Sequence, residues 1–258
     1  MPKLAANLSL LFREHPFSER FAAAARAGFR YVEIQLPYEW EAPSLARAAR
    51  EAGVEVVLHN LPAGDLARGE LGIACLPGRE DEFKEGVELA LEYAAELRCP
   101  RLNCLAGIAP AGVDPAVLRA TLVANLRYAA ARLAEERVTL LVEPLNTRSV
   151  PNFFLHHSAA AIELFDAAGA ANLQLQYDIF HMQIMEGDLA HRIERLLPRI
   201  GHIQLADVPE RNEPGTGELN FPFLLEHIDR LGYGGWIGCE YNPSADTLSS
   251  LAWAKPYL

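Results

Sequence analysis

Three carboxylates stand where an apolar run should continue. Glu143 interrupts TLLVEPLN, Asp178 lies in LQLQYDIFH, and Glu240 sits in GWIGCEYNP. A fourth run, GHIQLAD, carries His202, Gln204 and Asp207. Burying a carboxylate among apolar side chains is costly unless it is paired, hydrogen-bonded or bound to metal. Three such residues, with Gln204 beside them, point to a shared purpose. Four oxygen donors converging at one opening, Glu143, Asp178, Gln204 and Glu240, make a hard-cation site suited to Mg²⁺ or Mn²⁺ and open to substrate. The alternative is a ring of hydrogen bonds and ion pairs without metal. Glu143 and Glu240 are the pair able to act as acid and base about a bound substrate. With a divalent ion polarising a carbonyl, such a pair suits proton transfer between adjacent carbons. Glycosidases also use two carboxylates, so the pair alone does not name the reaction.

The histidines and arginines divide by position. His59 ends a strand-like run beside Asn60, and His181 follows Asp178 by three residues. Both are placed to bind a substrate hydroxyl or carboxylate. His202, two residues before Gln204, shares its face but lies deeper, and reads as a buried structural histidine. His156 and His157 form a loop pair before a helix, and His15, His191 and His227 read as surface or helix positions. An acidic chain that handles an anionic substrate needs a local cation. Arg211 in ADVPERNEPGTGE and Arg148 in EPLNTR are the candidates, each able to hold a carboxylate through two parallel hydrogen bonds. The glycines of PGTGE resemble a phosphate cradle only loosely, lacking the Walker lysine and a helix at the required spacing.

Positioning these groups requires a regular scaffold. Strand-like runs cover Leu4–Leu11, Tyr31–Gln35, Val54–Asn60, Arg101–Leu105, Thr139–Leu145, Leu173–Asp178, Gly201–Ala206 and Gly235–Tyr241. Helical spacing fills the intervals at Ser18–Ala27, Ala42–Glu51, Glu80–Leu97, Pro115–Glu136, Ser158–Ala168, Leu189–Leu197, Phe221–Leu231 and Ser244–Ala254. Ser18 and Gly28 read as an N-cap and a C′ glycine. Asp114-Pro115 places a capping side chain before a first-turn proline. Strands alternating with helices imply a parallel sheet. The open doubly wound sheet would announce a nucleotide with GxGxxG after its first strand, and Ser9–Phe12 offers none, so no nucleotide cofactor is expected. Eight β-then-α units favour an α/β (β/α)₈ TIM barrel, whose reacting groups come from the C-terminal strand ends. Glu143 and Glu240, from the fifth and eighth runs, then face each other across the mouth. The long connection Leu61–Arg79, holding Gly64, Gly69, Gly72 and Gly78, reads as a lid over that mouth.

Composition agrees. The 258 residues suit one barrel domain spanning 1–258, with no linker or low-complexity tract to divide them. Hydrophobic residues make up 50% and charged ones 22%, which argues against wholesale disorder. The net charge of -11 repels phosphate backbones and anionic lipid, so neither nucleic acid nor membrane is the expected partner; a small-molecule substrate is. No apolar run is long enough for a membrane span, and the N-terminus reads as a first strand rather than a signal peptide. Cys75, Cys99, Cys104 and Cys239 form no CxxC and read as reduced and buried, with a cytoplasmic location. Trp253 and Tyr257 read as packed against the barrel. The oligomeric state is not legible.

Taken together, EPLNTR at 143–148, YDIFHMQIMEGD at 177–188, HIQLADVPERNEPGTGELNF at 202–221 and GCEYNP at 238–243 resemble the hydroxypyruvate isomerase family. The early segment, ANLSLLF with FSERFAAAARAGFRYVEIQLPYEWE, resembles it too, and ADVPxRxEPGTGE is the most specific stretch. That family belongs to the xylose-isomerase-like TIM barrels, with the ketose 3-epimerases and endonuclease IV. The resemblance implies an isomerase that interconverts hydroxypyruvate and 2-hydroxy-3-oxopropanoate, with a 2-oxo-tetronate or another sugar as the alternative substrate and a non-catalytic sugar-acid binding protein behind it. It implies Glu143 and Glu240 as proton donor and acceptor, and Glu143, Asp178, Gln204 and Glu240 as metal ligands. Position 204 is His in the epimerases and Gln here. The acidic residue that the epimerases carry six positions after the EPLN glutamate is Ser149 here, which counts against a ketose 3-epimerase.

Overall fold

The computed structural model describes residues 2–258. Among them, eight parallel strands close into a barrel in chain order. They are β1 (Lys3–Asn7), β2 (Tyr31–Ile34), β3 (Glu55–Asn60), β4 (Arg101–Cys104), β5 (Thr139–Val142), β6 (Leu173–Asp178), β7 (Ile200–Leu205) and β8 (Trp236–Cys239). Closure comes from β1 against β8, with Leu4 opposite Ile237 and Ala6 opposite Cys239. The helices are α1 (Phe17–Arg26), α2 (Ala42–Ala52), α3 (Glu80–Leu97), α4 (Pro115–Glu135), α5 (Ser158–Ala168), α6 (Ile179–Met185), α7 (Leu189–Leu196), α8 (Phe221–Arg230) and α9 (Thr247–Ser250).

The period-2 alternation of each strand sends one set of side chains to the helices and the other into the barrel. Outward residues such as Val32, Leu102, Leu140 and Ile203 join the large core between strands and helices. Inward, a small cluster of Ala5, Val57, Leu58 and Leu141 lies against Tyr31 and Trp236. One or two pleats further along, the same inward phase reaches Asn7, Glu33, Glu143 and Glu240. The barrel therefore changes from apolar floor to polar mouth.

Several local expectations are met. Asp114 accepts a hydrogen bond from the Ala116 amide at 2.8 Å, with Pro115 opening α4. Gly28, at φ +104°, ends the turn after α1. All four cysteines are free and buried. Trp253 is half-buried, its ring 6.4 Å from that of Tyr241. No helix of the described residues is long and apolar enough to cross a membrane.

Other boundaries differ, each for a local reason. Helix α1 starts at Phe17, with Pro16 at the cap position and Ser18 already inside, so Ser18 is not the N-cap. The first strand stops at Asn7, not Leu11, because the Asn7 carbonyl accepts from Leu10 and Leu11 amides and turns the chain. The final helical stretch shrinks to α9 and a 3-10 segment, Ala252–Tyr257, that contains Pro256. Helix α6 was not anticipated. In the long connection, the Leu61 and Cys75 amides bond to the Asn103 and Ala106 carbonyls, each at 2.8 Å. Its base is thereby fastened to the chain around β4, and Leu66 lies exposed near its tip.

Candidate active site

Glu143 and Glu240 stand one residue beyond β5 and β8, Asp178 ends β6, and Gln204 lies near the end of β7. All four side chains are buried. The strands thus bring the four expected residues to one end of the barrel.

Glu240 is saturated with donors. Its Oε1 accepts from Gln35 Nε2 at 3.0 Å and Arg211 Nη2 at 2.6 Å. Its Oε2 accepts from Asn7 Nδ2 at 3.0 Å and from Gln204 Nε2. The Gln204 amide also donates to Glu33 Oε1 at 2.8 Å, and its carbonyl oxygen accepts from Gln176 Nε2 at 2.6 Å. Gln204 therefore turns its nitrogen, not its oxygen, toward the neighbouring carboxylates.

Glu143 is differently placed. Its Oε2 accepts from Gln176 at 2.9 Å and Asn103 at 3.2 Å, while Oε1 is buried with no partner among the described residues. Asp178 Oδ1 caps α6 by accepting from the Phe180 amide at 2.8 Å, and Oδ2 is likewise left without a hydrogen bond. His181, in the first turn of α6, accepts the Asn146 amide on Nδ1 at 2.9 Å, which leaves its proton on Nε2, 3.5 Å from Asp178 Oδ2. Glu143, Asp178 and His181 each offer a ligand atom within 4.8 Å of the others. Two buried carboxylate oxygens without a hydrogen bond are what a hard cation satisfies, so the residues fit a divalent ion held by Glu143 and Asp178.

Burial and like charge act together here. Burial pushes Glu143 well above the usual carboxylate range, and the nearby charges of Glu240 and Asp178 push it further. Burial also raises Asp178 to about 6 and Glu240 to about 8, both against the pull of Arg211. Burial opposes the Arg211 charge, but Glu240, Asp178 and Glu143 outweigh it and raise its pKa. Of the two glutamates, Glu143 has no ion-pair partner among the described residues, whereas Glu240 is joined to Arg211.

Arg211 reaches this cluster from the loop after β7. Its guanidinium lies 2.6 Å from Glu240 and 3.6 Å from Asp178, over the Phe180 ring, and its Nε is buried without a partner among the described residues. Asp207 shapes that loop. Its Oδ1 accepts from Val208 and Leu219 amides, and its Oδ2 from Gly215 and Gly217 amides at 2.9 Å. The glycines of PGTGE thus cradle an anion belonging to the chain itself. A Cβ at Gly217 would lie 1.9 Å from the Val208 carbonyl oxygen. Arg148, by contrast, is exposed and donates to the Pro209 carbonyl at 3.3 Å.

His59 is fully buried, and burial lowers its pKa to about 4. Its Nδ1 lies 3.1 Å from the Asn60 carbonyl, so that nitrogen carries the proton and Nε2 is a lone pair without a partner. His202 is buried below, with Nε2 2.8 Å from Glu33 Oε2. Glu33, Asn7, Gln35, Asn103 and Gln176 are site residues that the sequence reading passed over. The signal was available for Glu33: it interrupts YVEIQ as Glu143 interrupts TLLVEPLN.

Residues 21–257 match the family described as xylose isomerase-like TIM barrel. The chain is 48% identical over 257 residues to a hydroxypyruvate isomerase of Escherichia coli (strain K12), covering 100% of both. It is 49% identical over 258 residues to a 2-oxo-tetronate isomerase of Cupriavidus necator, covering 100% of this chain and 99% of that one. A solved structure described as AP endonuclease, family 2, from Brucella melitensis superposes with a TM-score of 0.98 at 46% identity, covering 100% of this chain and 99% of that one.

Proposed function

The chain belongs to the xylose isomerase-like TIM-barrel family, and from that premise we propose that it interconverts hydroxypyruvate and 2-hydroxy-3-oxopropanoate. The observation that carries this reading is the convergence of Glu143 and Glu240 on one mouth, with Arg211 joined to Glu240 and Asp178. The substrate carboxylate is held by Arg211, whose buried Nε has no partner among the described residues. His59 pairs in register with Ile34 and Leu102, whose side chains lie in the outer core, so its ring sits on the helix side against Tyr38 and takes no substrate hydroxyl. His181 donates from Nε2. One glutamate takes a proton from the hydroxymethyl carbon, and a cis-enediolate forms. The other returns a proton to the adjacent carbon, while the hydroxyl proton passes to the former carbonyl oxygen. Proton transfers of this kind by positioned carboxyls contribute about 10²–10⁴-fold each. A divalent ion, when bound by Glu143 and Asp178, supplies Lewis-acid stabilisation of negative charge on oxygen. The net charge of -11 disfavours nucleic acid as a partner, and a cytoplasmic location belongs to the same proposal.

The same proton transfers would serve a 2-oxo-tetronate, and the Cupriavidus necator relative favours that second substrate. The experiment is NMR in D₂O with hydroxypyruvate, 2-oxo-tetronates and a ketose panel, with and without Mg²⁺ or Mn²⁺. Turnover of a 2-oxo acid, with deuterium entering the carbon beside the carbonyl, is the expected result. Ligand-induced stabilisation without exchange under every metal condition would instead make the protein a sugar-acid binder.

A further inference from the structure

Beneath the mouth lies a carboxylate that the proposed reaction does not use. Glu33 is fully buried. Its Oε1 accepts from Asn7 Nδ2 at 2.9 Å and Gln204 Nε2 at 2.8 Å, and its Oε2 lies 2.8 Å from His202 Nε2. Asn7 and Gln204 are also the two amides that donate to Glu240 Oε2. Each amide nitrogen thus gives one N–H to Glu33 and the other to Glu240.

We propose that Glu33 is a positioning residue that fixes the Glu240 carboxylate through the shared amides of Asn7 and Gln204. A primary amide is close to symmetric in shape but not in polarity: one end donates and the other accepts. Turned by half a rotation, Asn7 or Gln204 would present a carbonyl oxygen to Glu240 Oε2 in place of an N–H and lose the hydrogen bond it donates there. Glu33 Oε1 accepts from both amides, so Glu33 holds both nitrogens on the side where Glu240 needs them. His202 supports Glu33 from below, leaving its own Nδ1 without a partner.

The scaffold makes room for this arrangement. The β2–β3 register shifts between Val32 and Glu33, a break in the ladder of the kind that re-aims a side chain. On β8, Gly238 stands where a Cβ would fall 2.2 Å from Glu33 Oε2. A side chain there would displace the Glu33 carboxylate.

This inference rests on the reading of Glu240 as one of the proton-transfer pair, and the test separates the two. Glu33→Ala removes the acceptor, whereas Glu33→Gln keeps one acceptor oxygen at the same reach. Positional errors near 1 Å at a reacting group cost about 10²-fold in rate. The expected result is a fall in kcat of about 10²-fold for Glu33→Ala with KM within about threefold, a larger kinetic isotope effect on substrate deuterated at the hydroxymethyl carbon, and partial recovery in Glu33→Gln. If Glu33→Ala does not fold, Glu33→Asp, which withdraws the oxygens by one methylene, takes its place with the same expected direction. Crystal structures of wild type and variant without substrate provide the second readout: Glu240 rotates, or an amide of Asn7 or Gln204 turns over. Unchanged Glu240 and amide orientations, or unchanged kcat and isotope effect in a folded variant, overturn the proposal. If wild type turns over no 2-oxo acid, the reaction assignment fails, and the crystal structures still decide whether Glu33 orients Glu240.

Discussion

The neutral, buried imidazole of His59 makes the protein sensitive to acid in a way that can be isolated. In the unfolded chain this histidine titrates near 6.5; in the barrel, burial lowers it to about 4. Between these values the unfolded state binds a proton that the folded state refuses. The stabilisation is therefore complete above about pH 6.5 and is lost as pH falls toward 4. Each pKa unit is worth about 1.4 kcal/mol, so the full contribution is about 3 kcal/mol, and about 2.5 kcal/mol of it disappears between pH 7 and pH 4.5. Full burial leaves no solvent screening to discount. His59→Asn keeps a donor near the position of Nδ1, which faces the Asn60 carbonyl, and removes the titration. Urea unfolding of wild type and variant at pH 7 and pH 4.5 gives the comparison. The variant is expected to lose about 2.5 kcal/mol less than wild type over that interval. His181, which burial and Arg211 also hold far below its usual value, acts in the same direction in both proteins and cancels in the difference. Equal losses in the two proteins would show that His59 titrates normally, and the assignment of a free Nε2 lone pair would fall with it.

Glu143→Gln is expected to lower kcat about 10²–10⁴-fold. Because burial and its acidic neighbours raise Glu143, its stabilising contribution is present below pH 4.5 and is lost as pH rises. The variant should therefore gain more in melting temperature over wild type at pH 8 than at pH 5, measured by calorimetry. Asp207→Asn replaces one of two oxygens that each accept two backbone amides, and should cost about 3 kcal/mol or more. It should also raise KM for the 2-oxo acid about tenfold, through loosening of Arg211, as steady-state kinetics would show. Asp114→Ala removes the α4 cap, and the expected loss is about 1 kcal/mol in denaturant unfolding with kcat and KM unchanged.

The order of strands and helices was legible because each βα unit repeats the same change of hydrophobic period. Glu143, Asp178 and Glu240 were legible because nothing else in an apolar run accounts for an acid. Glu33 was passed over because YVEIQ alternates, and alternation reads as a strand with one wet face. In a closed barrel the second face is the filled interior, so the polar half of that alternation points inward as well. Helix α6 escaped because it is short and begins on Asp178, a residue already assigned to a strand end; its cap and the last strand residue are the same side chain. Arg211 could not be preferred to Arg148 from spacing. The distinction lies in the loop path, which puts Arg211 at φ +59° and carries it back over the mouth.

That loop path bears on what a sequence likeness means. Asp207 gathers four amides spread over Val208–Leu219, and Gly217 cannot take a side chain without striking the Val208 carbonyl. Much of ADVPERNEPGTGE is thereby constrained by the shape of a knot of chain wound around its own carboxylate. Two enzymes sharing this stretch share a bracket for a guanidinium. Likeness over this stretch therefore reports the loop that carries Arg211 rather than the side chains elsewhere at the mouth.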